Sequence, residues 1–184
     1  MHSKSTGECS ASDSLWGRVL VLVGSEGMGE SELARRFVHT YKEQYLYALW
    51  FDAESKESIE VSFLNALAAL LGLTSSFRDK AGGLRMNIEE IQSSELAQRL
   101  FHMLAMHFPT PLLIYDDVRE KLEPKPSCGI LRNYMPWDFF GDLKPLIVLT
   151  FQLKHACSEE VKIIQVERLT EVESIELFRS WWEI

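Results

Sequence analysis

The chain has 184 residues, of which 46% are hydrophobic and 25% are charged, and this mixture predicts a single globular domain. The formal net charge of −8 argues against unaided binding of DNA or RNA, which requires a basic surface, and more weakly against binding to anionic membranes. The polar N-terminus is unlike a signal peptide, and no apolar stretch reaches the roughly 20 residues that span a bilayer, so we expect a soluble, cytoplasmic protein.

The first half of the chain alternates strands and helices. Residues 1–14 are polar and predict a disordered tail, which leaves residues 15–184 as the domain. The apolar patterns that follow predict a strand at 18–24, a helix at 30–44, a strand at 46–53 and a helix at 58–72 that ends at Gly72. Residues 73–92 predict a loop, with a short helix inside it as an alternative.

The second half continues the same alternation. The patterns predict a helix at 94–108, a strand at 112–118, an irregular connection at 119–144, and strands at 145–151 and 161–166. The last helix begins at Thr170, which forms a capping-box pair with Glu173. Its apolar face consists of Val172, Ile175, Phe178 and Trp182. Short strands that are apolar throughout, separated by helices, indicate an α/β fold with a parallel sheet covered on both faces.

The turn after the first strand matches most of a phosphate-binding loop. The pattern G-x-x-x-x-G-K-[ST] is filled by Gly24, Gly29 and Ser31, with Gly27 as a further glycine. In such a loop the backbone N–H groups bind an anion, the lysine adds positive charge and the hydroxyl holds Mg²⁺. Glu30 stands where the lysine is expected. The glycines and the hydroxyl are therefore kept, while the charge at the lysine position is reversed.

This reversal bears directly on phosphate affinity. Two unit charges about 4 Å apart interact by on the order of 4 kcal/mol at an effective dielectric near 20. Glu30 should therefore weaken nucleotide binding by several kcal/mol, and triphosphates more than diphosphates. Two alternatives remain open: weak binding is retained, or Glu30 interacts favourably with the helix dipole at the end of an empty loop.

Two adjacent acids, Asp116 and Asp117, end the strand at 112–118. The carboxyl ends of the strands are where α/β sheets bind ligands. In phosphate-loop proteins such an aspartate holds Mg²⁺ and a neighbouring acid orients the attacking water, which makes Asp116 the candidate metal ligand and Asp117 the candidate catalytic residue. Asp117 as an ordinary turn residue is the alternative.

The order of these motifs resembles the NB-ARC family, the nucleotide-binding switch domains of the STAND class of phosphate-loop ATPases. The resemblance rests on "VLVGSEGMGESELARRFV", "ALWFDA", "PLLIYDDV", "PLIVLTFQ" and "IIQVERLTEVESIELF", which span about residues 17–180. It implies a five-stranded parallel sheet in which the 145–151 strand lies between the 18–24 and 112–118 strands. It also implies ADP or ATP with Mg²⁺ as ligand, a signalling role and a sensor position at Thr150. Separately, we expect a protein partner.

The chain departs from the family in three respects. Glu30 replaces the lysine, Gln152 stands where the sensor segment usually ends in arginine, and we expect the helical and winged-helix subdomains to be absent from residues 15–184. The first hypothesis is therefore a degenerate nucleotide-binding regulatory module with little or no ATP hydrolysis. The alternatives are a Mg²⁺-dependent ATPase in which Arg18 or Arg35 replaces the lysine, and a nucleotide-free interaction scaffold.

Overall fold

The computed structural model of the protein describes residues 18–78, 93–119, 131–139, 145–152 and 161–182. Five parallel strands form one sheet in the order β2-β3-β4-β1-β5. The strands are β1 (Val19–Val23), β2 (Ala48–Asp52), β3 (Leu112–Val118), β4 (Leu146–Phe151) and β5 (Lys162–Gln165). The α/β prediction is confirmed, and β4 lies between β1 and β3 as the family resemblance implied.

The helices cover both faces of this sheet. They are α1 (Glu30–Tyr41), α2 (Lys56–Arg78), α3 (Ser93–His107), α4 (Leu131–Tyr134) and α5 (Glu171–Trp182), with a short 3₁₀ helix at Trp137–Phe139. Alternate residues of a strand point to opposite faces of the sheet, so the strands contribute to two cores. Leu22, Ile114 and Val148 pack with Ala34 of α1 on one face, whereas the larger core on the other face contains residues of α2 and α3.

The larger core is rich in aromatic residues. Phe63 of α2 is fully buried, with its ring centroid 4.1 Å from that of Phe51 and 5.7 Å from that of Phe101. The hydroxyl of Tyr115 is also buried and donates a 2.6 Å hydrogen bond to the carbonyl of Tyr134. This packing fixes β2, β3 and α4 relative to one another, and with them the carboxyl ends of the strands.

Two boundary predictions need correction. The α2 helix does not end at Gly72 but continues to Arg78, so the loop predicted over 73–92 is wrong for residues 73–78. A glycine ends a helix when its backbone turns left-handed, and Gly72 is not among the described glycines with positive φ. The connection predicted over 119–144 contains α4 and the 3₁₀ helix in its described part, while residues 79–92 lie outside the described ranges.

The capping box at the start of α5 is confirmed. The Thr170 backbone amide donates a 2.7 Å hydrogen bond to Glu173 Oε2, and the Glu173 amide donates at 3.3 Å to Thr170 Oγ1. The apolar face of this helix is largely open, because 65% of Val172 and 45% of Ile175 are exposed. The predicted N-terminal tail and the side chains of Phe178 and Trp182 lie outside what the structure describes. None of the described helices is both long and apolar enough to cross a membrane.

Candidate functional site

The glycine loop connects β1 to α1 in a conformation that depends on its glycines. Gly27 and Gly29 have φ angles of 81° and 95°, a region that other residues enter only with strain. The Gly24 amide donates a 3.1 Å hydrogen bond to the Phe151 carbonyl, which ties the start of the loop to the end of β4. The loop therefore leads directly into the N-terminus of α1, where unpaired amides and the helix dipole favour an anion.

An anion from the chain itself already lies in this loop. Only 8% of the Glu30 surface is exposed, and within the described part of the chain its buried Oε1 has no hydrogen-bond partner. This oxygen lies against Gly24, so closely that a Cβ atom on residue 24 would overlap it. Glu30, at the lysine position of the motif, thus has its buried carboxylate at the base of the loop, where the motif would have an ammonium group.

The predicted metal-binding residues come together at the same edge of the sheet. Ser31 Oγ and Thr150 Oγ1 each donate a 2.6 Å hydrogen bond to Asp116 Oδ1. These oxygens, two hydroxyls and one carboxylate, are of the chemical type that Mg²⁺ prefers, so the donor set fits the ion. Among the described residues, no group of three or more His, Cys, Asp and Glu side chains could hold a metal ion.

The backbone at Asp117 is unusual, and each oxygen of its carboxylate accepts a hydrogen bond. Asp117 has a φ of 59° and lies where the β3–β4 register is irregular, and its amide donates at 2.7 Å to Thr150 Oγ1. Gln152 Nε2 donates to one carboxylate oxygen at 2.7 Å, and Arg119 donates to the other at 2.9 Å. The pKa of Arg119 is raised, primarily by this hydrogen bond and then by the nearby acids, which include Glu54 at 2.7 Å.

These residues surround an open cleft of about 300 Å³. Its lining consists of Glu30, Ser31, Asp52, Glu54, Asp116, Asp117, Thr150, Phe151 and Gln152. Five of these side chains are carboxylates and none is a lysine or arginine, so the cleft is strongly acidic. The backbone of the glycine loop therefore suits a phosphate group, whereas the negatively charged side chains of the cleft do not.

The sequence did not identify three residues at this site, Asp52, Glu54 and Arg119. A signal for Asp52 was present, because "LYALWFDA" places an acid at the end of a strand just as "LLIYDDV" does. The structure pairs the two, with Asp52 opposite Asp116 in the β2–β3 register. Glu54 and Arg119 are brought together only by the fold, since they lie 65 positions apart and follow the ends of different strands.

The arginines proposed as substitutes for the lysine lie elsewhere. The Arg35 guanidinium forms a 3.3 Å ion pair with Glu32 and lies 5.2 Å from the ring centroid of Trp50. Arg18 is exposed immediately before β1. Neither residue lines the cleft. A second cleft of about 250 Å³ is lined by residues of the glycine loop, including Gly24, and by residues 165–168, which include both Glu167 and Arg168.

Comparison with known proteins gives similarity only at the level of the fold. No protein-family model matches the chain, and no curated protein matches it. One similar structure is the STAND protein with a tetratricopeptide repeat sensor from Pyrococcus horikoshii, at 16% identity and a TM-score of 0.43, covering 90% of this chain and 23% of that one. Another is the genome packaging NTPase of Sulfolobus turreted icosahedral virus 2, at 14% identity and a TM-score of 0.46, covering 90% and 83%.

The chain thus spans less than a quarter of the STAND protein's length. Its own features define the fold: a parallel sheet in the order β2-β3-β4-β1-β5, a glycine loop between β1 and α1, and acids at the carboxyl ends of β2 and β3. The chain has an α/β fold, with a five-stranded parallel sheet and helices on both of its faces.

Proposed function

We propose that the chain is a degenerate nucleotide-binding module of the NB-ARC type, which binds ADP or ATP with Mg²⁺ weakly and hydrolyses ATP little or not at all. The observation that carries the proposal is the buried Glu30 carboxylate against Gly24, in a loop whose backbone otherwise suits a phosphate. The backbone favours an anion, whereas the side chain opposes it. Weak binding is the expected balance of the two effects.

The residues that would hold Mg²⁺ support weak nucleotide binding rather than a complete loss of binding. Ser31 and Asp116 would hold the ion, and Thr150, which donates to the same aspartate oxygen, would orient that carboxylate. The metal would supply positive charge for the terminal phosphates when nucleotide is bound. That charge partly compensates for the missing lysine, so nucleotide binding should require Mg²⁺ more strictly here than in a site that contains the lysine.

The contacts of Asp117 support the absence of hydrolysis. A residue that orients the attacking water must direct a lone pair at it, and donors already bound to both carboxylate oxygens compete with that water. Both oxygens of Asp117 accept hydrogen bonds, one from the neutral amide of Gln152 and the other from Arg119. The ATPase alternative also needs a cation near the terminal phosphate, and Arg35 is held by Glu32 and Trp50 instead.

The regulatory part of the proposal follows from the NB-ARC resemblance, and exposed apolar residues support a protein partner. They include Ile163 and Ile164 on β5 and Val172, Ile175 and Leu177 on α5, each at least 42% exposed. Burial of such residues is the usual driving force of protein association. We expect this partner to be a protein rather than a nucleic acid or a membrane.

Calorimetric titration of Mg-ADP and Mg-ATP tests the nucleotide proposal. The wild type should bind weakly, and Glu30→Lys should bind at least about 100-fold more tightly, because attraction replaces repulsion near the phosphates. Glu32→Lys is the matched control: it makes the same change in charge in the same turn of α1, on a side chain that is 69% exposed. Its affinity should stay within a few-fold of the wild type.

Three results would contradict parts of the proposal. Equal affinities of wild type and Glu30→Lys would refute the charge argument. Failure of both proteins to bind nucleotide would favour the scaffold alternative. Steady ATP turnover by the wild type, abolished in Asp116→Ala, would establish the ATPase alternative.

A further inference from the structure

A positive charge lies at the rim of the acidic cleft, although none of the residues that line the cleft is basic. Arg119 directly follows β3, and its Nη2 atom lies 2.7 Å from Glu54 Oε1 and 2.9 Å from Asp117 Oδ2. Both acids line the cleft, one just after the carboxyl end of β2 and the other near that of β3. The guanidinium group is therefore held at the rim by residues from two adjacent strands.

Most of the hydrogen-bond donors of this guanidinium group remain available to a ligand. An arginine has five N–H donors, of which each terminal nitrogen carries two and Nε carries one. Both contacts of Arg119 use Nη2, and neither Nη1 nor Nε donates to a residue in the described part of the chain. The side chain is 54% exposed, so a ligand in the cleft can approach Nη1. Its two N–H groups suit the oxygens of a phosphate group.

The residues that hold Arg119 lie at the end of the site that would receive a terminal phosphate. In phosphate-loop proteins, the metal-binding acid and the residue that orients the attacking water lie beside the terminal phosphate of the nucleotide. Asp116 and Asp117 occupy these positions here, and Arg119 is hydrogen-bonded to Asp117. The pKa of Arg119 is raised primarily by that hydrogen bond, and the charge of Glu26 contributes as well. Glu26 belongs to the glycine loop, so the guanidinium group is within electrostatic reach of the loop.

We propose that Arg119 contacts the terminal phosphate of a bound nucleoside triphosphate and so determines the preference for triphosphate over diphosphate. Nη1 would donate to a phosphate oxygen, while Nη2 keeps its contacts with Glu54 and Asp117. Because Asp117 then still accepts a hydrogen bond at each oxygen, the contact changes nucleotide selectivity without promoting hydrolysis. This inference rests on the proposed function, since it concerns a nucleotide bound in the same cleft.

Calorimetric titration of Mg-ATP and Mg-ADP into Glu30→Lys tests the assignment, because this variant should bind nucleotide tightly enough to measure. Adding Arg119→Met should weaken Mg-ATP binding about 10- to 100-fold, the effect of losing a charge-assisted hydrogen bond. Mg-ADP binding should change far less, because its phosphates end before this region. Arg99→Met is the matched control, since it removes the same charge from an arginine that is paired with Glu95 on α3 and does not line the cleft. It should leave the ratio of the two affinities unchanged.

A second substitution separates a direct contact from general compensation of charge. Arg119→Lys keeps the positive charge, but its one nitrogen must serve the two acids and the phosphate together. A direct contact therefore predicts that Arg119→Lys loses most of the preference for Mg-ATP, as Arg119→Met does. Full preference for Mg-ATP in Arg119→Lys would overturn the proposal, because the charge alone would then be sufficient. An affinity ratio unaffected by Arg119→Met would overturn it as well.

Nuclear magnetic resonance of Glu30→Lys labelled with ¹⁵N-arginine provides a measurement in which Arg119 is kept. Mg-ATP should shift the side-chain resonances of Arg119 more than Mg-ADP does, and equal shifts with the two nucleotides would contradict the contact. The outcomes also distinguish this inference from the proposed function. If Glu30→Lys binds neither nucleotide, the proposed function fails and this inference fails with it. If Glu30→Lys binds both nucleotides with a ratio that does not depend on Arg119, only this inference fails.

Discussion

Replacing Glu30 with methionine should stabilise the protein, although substitution of a buried residue usually destabilises it. Methionine has a similar length and a comparable helix propensity, and it has no polar group to leave unpaired. The change removes the carboxylate whose Oε1 is buried without a partner in the described part of the chain, and it leaves the space beside Gly24 filled.

The expected gain can be worked out from these contacts. A buried polar group without a hydrogen bond costs about 1–3 kcal/mol. An acid in the first turn of α1 recovers about 0.3–1 kcal/mol of this through the helix dipole, which methionine forgoes. The net stabilisation should therefore be about 1–2 kcal/mol, which corresponds to a rise in melting temperature of roughly 2–8 °C for a domain of this size.

Guanidinium denaturation followed by far-UV circular dichroism measures this difference. The midpoint should rise in Glu30→Met while the slope of the transition stays unchanged, since the surface exposed on unfolding is the same. In the control Glu32→Met, a surface ion pair with Arg35 is lost, and stability should change by less than about 0.5 kcal/mol. A loss of more than about 1 kcal/mol in Glu30→Met alone would show that the carboxylate interacts favourably with the loop, and the reasoning would be refuted.

Three further predictions concern other parts of the fold. Thr150→Val removes a buried hydroxyl that is hydrogen-bonded to both residues of the acid pair, and it should cost about 2–3 kcal/mol in denaturation experiments; a cost below about 0.5 kcal/mol would contradict the assigned bonds. Phe63→Ala should cost about 3–5 kcal/mol, whereas Leu64→Ala, at a position 36% exposed, should cost clearly less; similar costs would argue against the described orientation of α2. The pKa of Glu173 is lowered by the hydrogen bonds it accepts from Thr170, so its stabilising effect exists above the ordinary glutamate pKa and is lost as the pH falls through the lowered value. The stability difference between wild type and Glu173→Gln should thus be present at neutral pH and vanish in strongly acidic solution, and a difference independent of pH would exclude this capping interaction.

The sequence predicted much of this fold because its signals are local and independent of one another. The apolar runs that became β1, β3 and β4 are buried on both faces of the sheet, and such runs are recognisable without knowledge of their neighbours. The capping box of α5 depends on two residues three positions apart, and the glycine loop on a spacing of five. Each of these features was therefore visible in a short segment of the chain.

Features that depend on distant contacts were not accessible in the same way. The α2 helix continues through Gly72 to Arg78. A single glycine inside a helix costs only about 1 kcal/mol, so it does not by itself end the helix. The pairing of Glu54 with Arg119 requires the carboxyl ends of β2 and β3 to be adjacent. The burial of Glu30 could not be predicted either, since a glutamate in a first helical turn ordinarily faces solvent.

The stability and the binding measurements at Glu30 constrain each other. A ligand that binds the native state alone stabilises that state, so nucleotide binding can also be measured from the unfolding of the wild type and of Glu30→Met. A phosphate ligand should stabilise Glu30→Met more than the wild type, because it meets the loop backbone in both proteins and the repelling charge only in the wild type. The same pair of proteins therefore distinguishes a phosphate site that Glu30 weakens from a loop that does not bind phosphate in either protein.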